Sequence, residues 1–253
     1  MNEEDKLKGG ISSFVIRIIA YIILATTVVL KSYIGSSIAW IQYLDWLSYP
    51  LFAFLLAEGF EQTSGKFRYF IRLLLFAAIA EIPFNYLHGG QILYPQQQNG
   101  MFTLCMGFLA MCIVDFVYKK TYNIILTFAA MYVYGWGAFY LTKVLHFEFY
   151  SFGVMFILLF YASNQVKYSK ILQVIFMIFL AAIISTDTFV SFIIGNIQYT
   201  VPYRAIAIPA MILTWFYKGK RGPNSIGLKI CMYAFYPVLL AIVFGLQYFG
   251  IKF

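Results

Sequence analysis

Ile11–Leu30 reads ISSFVIRIIAYIILATTVVL, twenty residues carrying one charge, Arg17. About twenty mainly apolar residues are what an α-helix needs to cross the roughly 30 Å hydrocarbon layer. The stretch therefore reads as a membrane span. Upstream lies only a short charged stub, residues 1–10, with no small-residue cleavage site before the apolar run, so the run reads as a retained span rather than a signal peptide. Downstream the same texture repeats, with spans expected near 37–60, 67–87, 101–118, 122–142, 147–163, 170–190, 200–217 and 227–249. The sequence thus predicts an all-α polytopic transmembrane helix bundle of about nine spans, forming a single domain over residues 1–253. The stretch 186–202 is interrupted by Asp187, Gly195, Asn196 and Pro202, and reads either as a re-entrant piece or as a long outer loop.

Composition agrees. Apolar residues make up 62% of the chain and charged residues 11%, against about half and about a quarter in soluble domains. A soluble fold of this length could not hide so much apolar surface. The long continuous runs also exclude an outer-membrane barrel, whose strands alternate over roughly ten residues. The net charge of +8 comes with no basic amphipathic or aromatic-interleaved patch, so it does not point to nucleic acid. Cys105, Cys112 and Cys231 fall inside apolar runs and support neither a disulfide framework nor a metal site.

Basic residues set the orientation. With the N-terminus cytoplasmic, the inner segments hold Lys6, Lys8, Lys66, Arg68, Lys119, Lys120, Lys167, Lys170, Lys218, Lys220 and Arg221, and the outer ones only Lys31, Lys143 and Lys252. That asymmetry is the positive-inside bias of a multi-pass cell-membrane protein.

Ionisable side chains within spans are costly and mark candidate sites. Towards the cytoplasm lie Arg17, Glu58, Arg72, Asp115 and Lys229; towards the outside lie Asp45, Glu81 and Arg204. Arg17 with Glu58 and Arg72 with Asp115 read as structural ion pairs that fix helix register. Glu81 and Arg204 stand beside prolines, in Glu81-Ile82-Pro83 and Pro202-Tyr203-Arg204, where freed backbone groups can line a polar cavity. His88 and His146 are assigned to outer loops, leaving no histidine within a span. The turn Lys218-Gly219-Lys220-Arg221-Gly222 combines charge with glycine-freed amides that suit phosphates, although any cytoplasmic loop under the positive-inside rule looks similar.

An ordered set of landmarks covers nearly the whole chain: Phe52-Ala53-Phe54-Leu55-Leu56-Ala57-Glu58-Gly59-Phe60 with Thr63, Glu81-Ile82-Pro83-Phe84-Asn85, Asn99 with Phe102-Thr103 and Gly107, Tyr203-Arg204, the turn 217–222, and Phe235-Tyr236-Pro237. In this it resembles TraX-type membrane proteins. The resemblance implies acyl transfer from cytosolic acetyl-CoA, since the founding member is associated with N-terminal acetylation of a conjugative pilin. It implies an acceptor such as a pilin-like protein or an envelope molecule. The family's Asp-His pair in the first span and the histidine in its last span are both absent, their positions reading Thr27-Val28 and Leu239. An active enzyme would then use a carboxylate base, Glu81 or Glu58, with Arg204 on the oxyanion and Lys218, Gly219, Lys220, Arg221 and Gly222 on the donor. The alternatives are a non-catalytic adaptor or immunity protein and, behind it, a small transporter. The residues name neither the acceptor nor an oligomeric state.

Overall fold

The structure, a computed structural model, describes residues 10–34, 41, 44–164, 169–179, 189–194, 197–223 and 225–250. In chain order its elements are α1 (Ser13–Ile34), α2 (Asp45–Gln62), α3 (Lys66–Gly89), α4 (Gly100–Thr121), α5 (Ile124–Val144), α6 (Tyr150–Asn164) and α7 (Ser169–Phe179). A hairpin of β1 (Phe189–Ile194) and β2 (Ile197–Pro202) follows, then a 3-10 turn (Tyr203–Ile206), α8 (Ala207–Thr214) and α9 (Ile226–Tyr248). Among the described residues α1, α3, α4, α5 and α9 are long and apolar enough to cross a membrane. In hydrocarbon a helix keeps every backbone hydrogen bond inside its own segment, which is why such sequence folds this way. Polar caps mark the starts. Asn99 accepts from Met101 N–H, Asn123 from Ile125 and Leu126 N–H, and Ser225 from Leu228 N–H.

Contacts divide the chain into two compact units, Met1–Phe52 with Ser163–Pro223, and Ala53–Ala162 with Asn224–Phe253. In the second unit α4 is central. Phe108, 1% exposed, takes the rings of Phe60, Tyr69 and Phe70 within 5.9 Å. α3 and α4 run antiparallel, with Lys66 reaching Asp115 at one end and Glu81 reaching Asn99 at the other. α9 runs parallel to α3, because Tyr233 meets Tyr69 and Phe76 while Phe244 stacks on Tyr86. A Cβ on Gly107 would fall 2.1 Å from Ile157 Cδ1 and 3.1 Å from Ile157 Cβ. The flexible tip of Ile157 can turn away, but its branch point cannot. Gly107→Val should therefore destabilise by about 1–3 kcal/mol, read as a lowered melting temperature in detergent.

In the first unit the end of α1 is tied to the start of α2 by the Lys31–Asp45 ion pair, each charge placed favourably for its helix dipole. Trp46 packs edge-on against Tyr203. Ile11 N–H donates to Phe216 O, and Ser13 N–H and Oγ–H donate to Lys220 O and Arg221 O.

The architecture is all-α as the apolar runs predict, with one short addition. Within the stretch 186–202, Phe189–Ile194 and Ile197–Pro202 pair as antiparallel strands, in register from Phe189↔Pro202 to Ile194↔Ile197. The span expected near 200–217 yields α8 of only 8 residues, about 12 Å at 1.5 Å per residue and too short to cross. The charged stub apart from Gly10, residues 37–40, 42 and 43 of the second expected span, and 180–188 of the seventh lie outside the described residues.

Candidate functional site

Glu81, Asn85 and His88 are spaced i, i+4, i+7 and so share one stripe of α3. Pro83 lies inside the same helix. Lacking an N–H, it leaves the carbonyl four residues earlier, on Ile79, without its helical donor. This stripe meets the capped start of α4. Asn99, fully buried, uses every polar atom it has. Its Oδ1 accepts from Met101 N–H (3.0 Å) and its carbonyl from Phe102 N–H (3.1 Å). Its Nδ2 donates to Ala77 O (3.0 Å) and to Glu81 Oε2 (2.6 Å), and its backbone N–H donates to the same Glu81 oxygen (3.2 Å).

Two donors from one residue thus fix the Glu81 carboxylate. Its other oxygen, Oε1, is buried with no hydrogen-bond partner among the described residues, as is Asn85 Oδ1. Asn85 cannot be turned over to cure this, because its Nδ2 is committed to Ile92 O (2.8 Å), which needs a donor. Buried acceptors left unpaired are costly, and in native proteins they call for an explanation. Here two of them lie one helical turn apart.

Sequence reading underrated this corner. Asn99 was visible only as a landmark, yet it caps α4 and orients Glu81. Glu148 was missed. Its Oε2 would lie 3.0 Å from a Cβ on Gly100, so a second carboxylate abuts the same helix start. The loop carrying it is pinned by Glu148 N–H on Gln98 O (2.9 Å), Gln98 N–H on His146 O (2.9 Å) and the Thr103 hydroxyl on Glu148 O. His88, assigned to an outer loop, sits in the last turn of α3, stacked on Phe84 at 4.0 Å. It is about 10 Å along the axis from Glu81.

The other candidates lie elsewhere. Asp115 is ion-paired, but with Lys66 (2.7 Å) and Lys119 (2.9 Å) rather than with Arg72. Lys66 lies 3.9 Å from the centre of the Phe60 ring, and Arg72 faces the Tyr233 ring at 5.9 Å. The reason is the helix phase: Lys119 is one turn from Asp115 on α4, and the antiparallel start of α3 delivers Lys66 to the same level. Glu58 takes Gln62 Nε2–H at the end of α2. It belongs to the Lys66 end of α3, which the helix separates from Glu81 by about 20 Å. Glu58 and Glu81 therefore cannot act on one bond. Arg17 is half-buried on α1. Arg204 falls in the 3-10 turn, its side chain outside the described residues.

The turn 218–222 belongs to the first unit. Gly219 and Gly222 adopt φ of +77° and +74°, and a Cβ on Gly222 would strike Phe14 Cβ at 2.6 Å. With its carbonyls on Ser13, the turn holds Lys220 and Arg221 outwards and exposed. At the positions of the absent Asp-His pair, Thr27 is buried and gives its hydroxyl to Ile23 O (2.8 Å) and Val28 is apolar, as is Leu239 at the second histidine position.

A family model described as TraX protein matches residues 12–247, from the start of α1 to the last turn of α9. The chain is also similar to a curated protein of Dichelobacter nodosus, "Probable fimbrial assembly protein FimC, serogroup H1". The two are 26% identical over 221 residues, covering 83% of each. No solved structure matches. With its membrane-length helices and a family match over nearly all of its length, the chain is a membrane protein that belongs to the TraX family.

Proposed function

We propose that this protein transfers an acyl group to an amine or hydroxyl acceptor and that Glu81 takes the acceptor's proton. One observation carries the reading: Glu81 is held by two Asn99 donors on Oε2 while Oε1 is buried without a partner among the described residues. A general base must be held in place and yet keep an open lone pair, and this carboxylate does both. In the step, the acceptor nitrogen or oxygen attacks the thioester carbonyl and its proton passes to Glu81 Oε1. The C–S bond then breaks, and the leaving thiolate takes the proton back. The donor is acetyl-CoA on the family resemblance. A fimbrial or pilin-type acceptor is favoured by the similarity to the Dichelobacter fimbrial assembly protein. The bacterial inner membrane is the location that the family resemblance favours, with the lysine and arginine asymmetry setting the orientation there.

A second reading has its own support. Neither Val28 nor Leu239, which stand at the positions of the family histidines, has a group that can serve as the base. That favours a non-catalytic adaptor of the same fold. Incubating the purified, folded protein with labelled acetyl-CoA separates the two. Transfer to the protein or to an added amine, or hydrolysis of the thioester, is the expected result. No label movement from folded protein with any amine or peptide acceptor leaves the adaptor reading.

A further inference from the structure

The first unit holds a feature that acyl transfer does not use. α7 and α8 face one another across an apolar furrow of about 290 Å³ walled by Val174, Met177, Ile178, Ile208, Met211 and Ile212. Trp215 and Gln173 close one end. The Trp215 indole N–H donates to Gln173 Oε1 (2.7 Å), and Gln173 Nε2 donates to Ser163 Oγ (3.0 Å). This chain of bonds satisfies the buried amide and fixes the ring.

That closed end is also the basic end. Lys170 Nζ lies 5.7 Å from the centre of the Trp215 ring, and the turn bearing exposed Lys220 and Arg221 begins three residues after Trp215. The backbone of that turn is tied to Ser13, which leaves its cationic side chains facing outwards. An acyl-sized apolar furrow therefore runs up to a tryptophan and a set of cations. Tryptophan sits at headgroup level in membranes, and clustered lysine and arginine beside it draw anionic headgroups.

We infer that the α7–α8 furrow is a binding site for an anionic phospholipid, one acyl chain lying between Val174 and Ile212 and the phosphate held by Lys170 and Lys220. An anionic occupant fits because, among the described residues, the collar carries only positive side chains, and a lipidic one fits because the walls of the furrow are apolar. The site stands independently of acyl transfer, since lipid retention is measured without turnover.

The test uses the full chain purified in detergent and mixed with phosphatidylglycerol or phosphatidylcholine, read by native mass spectrometry and by melting temperature. Phosphatidylglycerol should be retained and should raise the melting temperature more than phosphatidylcholine does. Lys170→Gln combined with Lys220→Gln should weaken phosphatidylglycerol retention about thirtyfold, the loss expected for two interfacial cations, with phosphatidylcholine unaffected. Ile208→Trp, which fills the furrow, should remove retention of phosphatidylglycerol while leaving the lipid-free melting temperature within a few degrees. Equal retention of the two lipids by the unaltered protein overturns the proposal whatever the variants do. So does undiminished phosphatidylglycerol retention in the folded double variant.

Discussion

Glu81→Gln should reduce acyl transfer by about a hundred- to ten-thousandfold, the usual contribution of a positioned general base. Stability should barely change. Gln is isosteric, and its amide oxygen can accept the same two Asn99 donors that now fix Oε2. What the substitution removes is the open lone pair on Oε1, replaced by an N–H that cannot take a proton. Transfer assays with labelled acetyl-CoA, beside thermal unfolding in detergent, read the two quantities separately. Retained transfer in the variant would remove Glu81 from the chemistry. A collapse of melting temperature would instead make it a structural residue.

The second large effect is expected at Asn99. Asn99→Ala deletes the cap of α4, worth about 1 kcal/mol, and the side-chain donor on the Glu81 carboxylate, worth about 1.5–3 kcal/mol for a bond to a charged group. It also frees Ala77 O. A loss of roughly 2–4 kcal/mol follows, together with loss of transfer, because the carboxylate is then held by one backbone N–H. Asn99→Ser divides these contributions. Serine caps well but is too short to reach Glu81, so about 1 kcal/mol should return while transfer stays low. If Asn99→Ala unfolds with the unaltered protein, the network does not carry the stability assigned to it.

How far the residues alone could lead differs from place to place. Long apolar runs are legible because lipid leaves the backbone no alternative to a helix. Ile226–Tyr248 and Gly100–Thr121 lie within three residues of their expected limits for that reason. The hairpin was missed because Gly195-Asn196 inside apolar residues reads equally as a broken span, and only the pairing of Phe189–Ile194 with Ile197–Pro202 decides between them. Asp115 was recognised as a paired charge, but its partner depends on which helix delivers a cation at its level, and that depends on packing. Glu81 stood out as a carboxylate beside proline in an apolar run. Asn99 did not, since a lone asparagine before an apolar helix reads as a cap and nothing more. Its second role needs the antiparallel approach of α3 and α4. Glu148 gave no signal, because a loop carboxylate 45 residues from Thr103 shows its place only once the two loops are bridged.

Everything proposed for the reaction depends on which side of the bilayer each end of the chain's polar apparatus faces. Single cysteines at Gln96 and Lys220, both exposed, placed in a background lacking Cys105, Cys112 and Cys231, can be labelled with a membrane-impermeant maleimide in intact cells and in inverted vesicles. The alternation of basic residues predicts opposite outcomes: position 96 reacts in intact cells and position 220 only in inverted vesicles. Reaction of the two positions from the same side would contradict it.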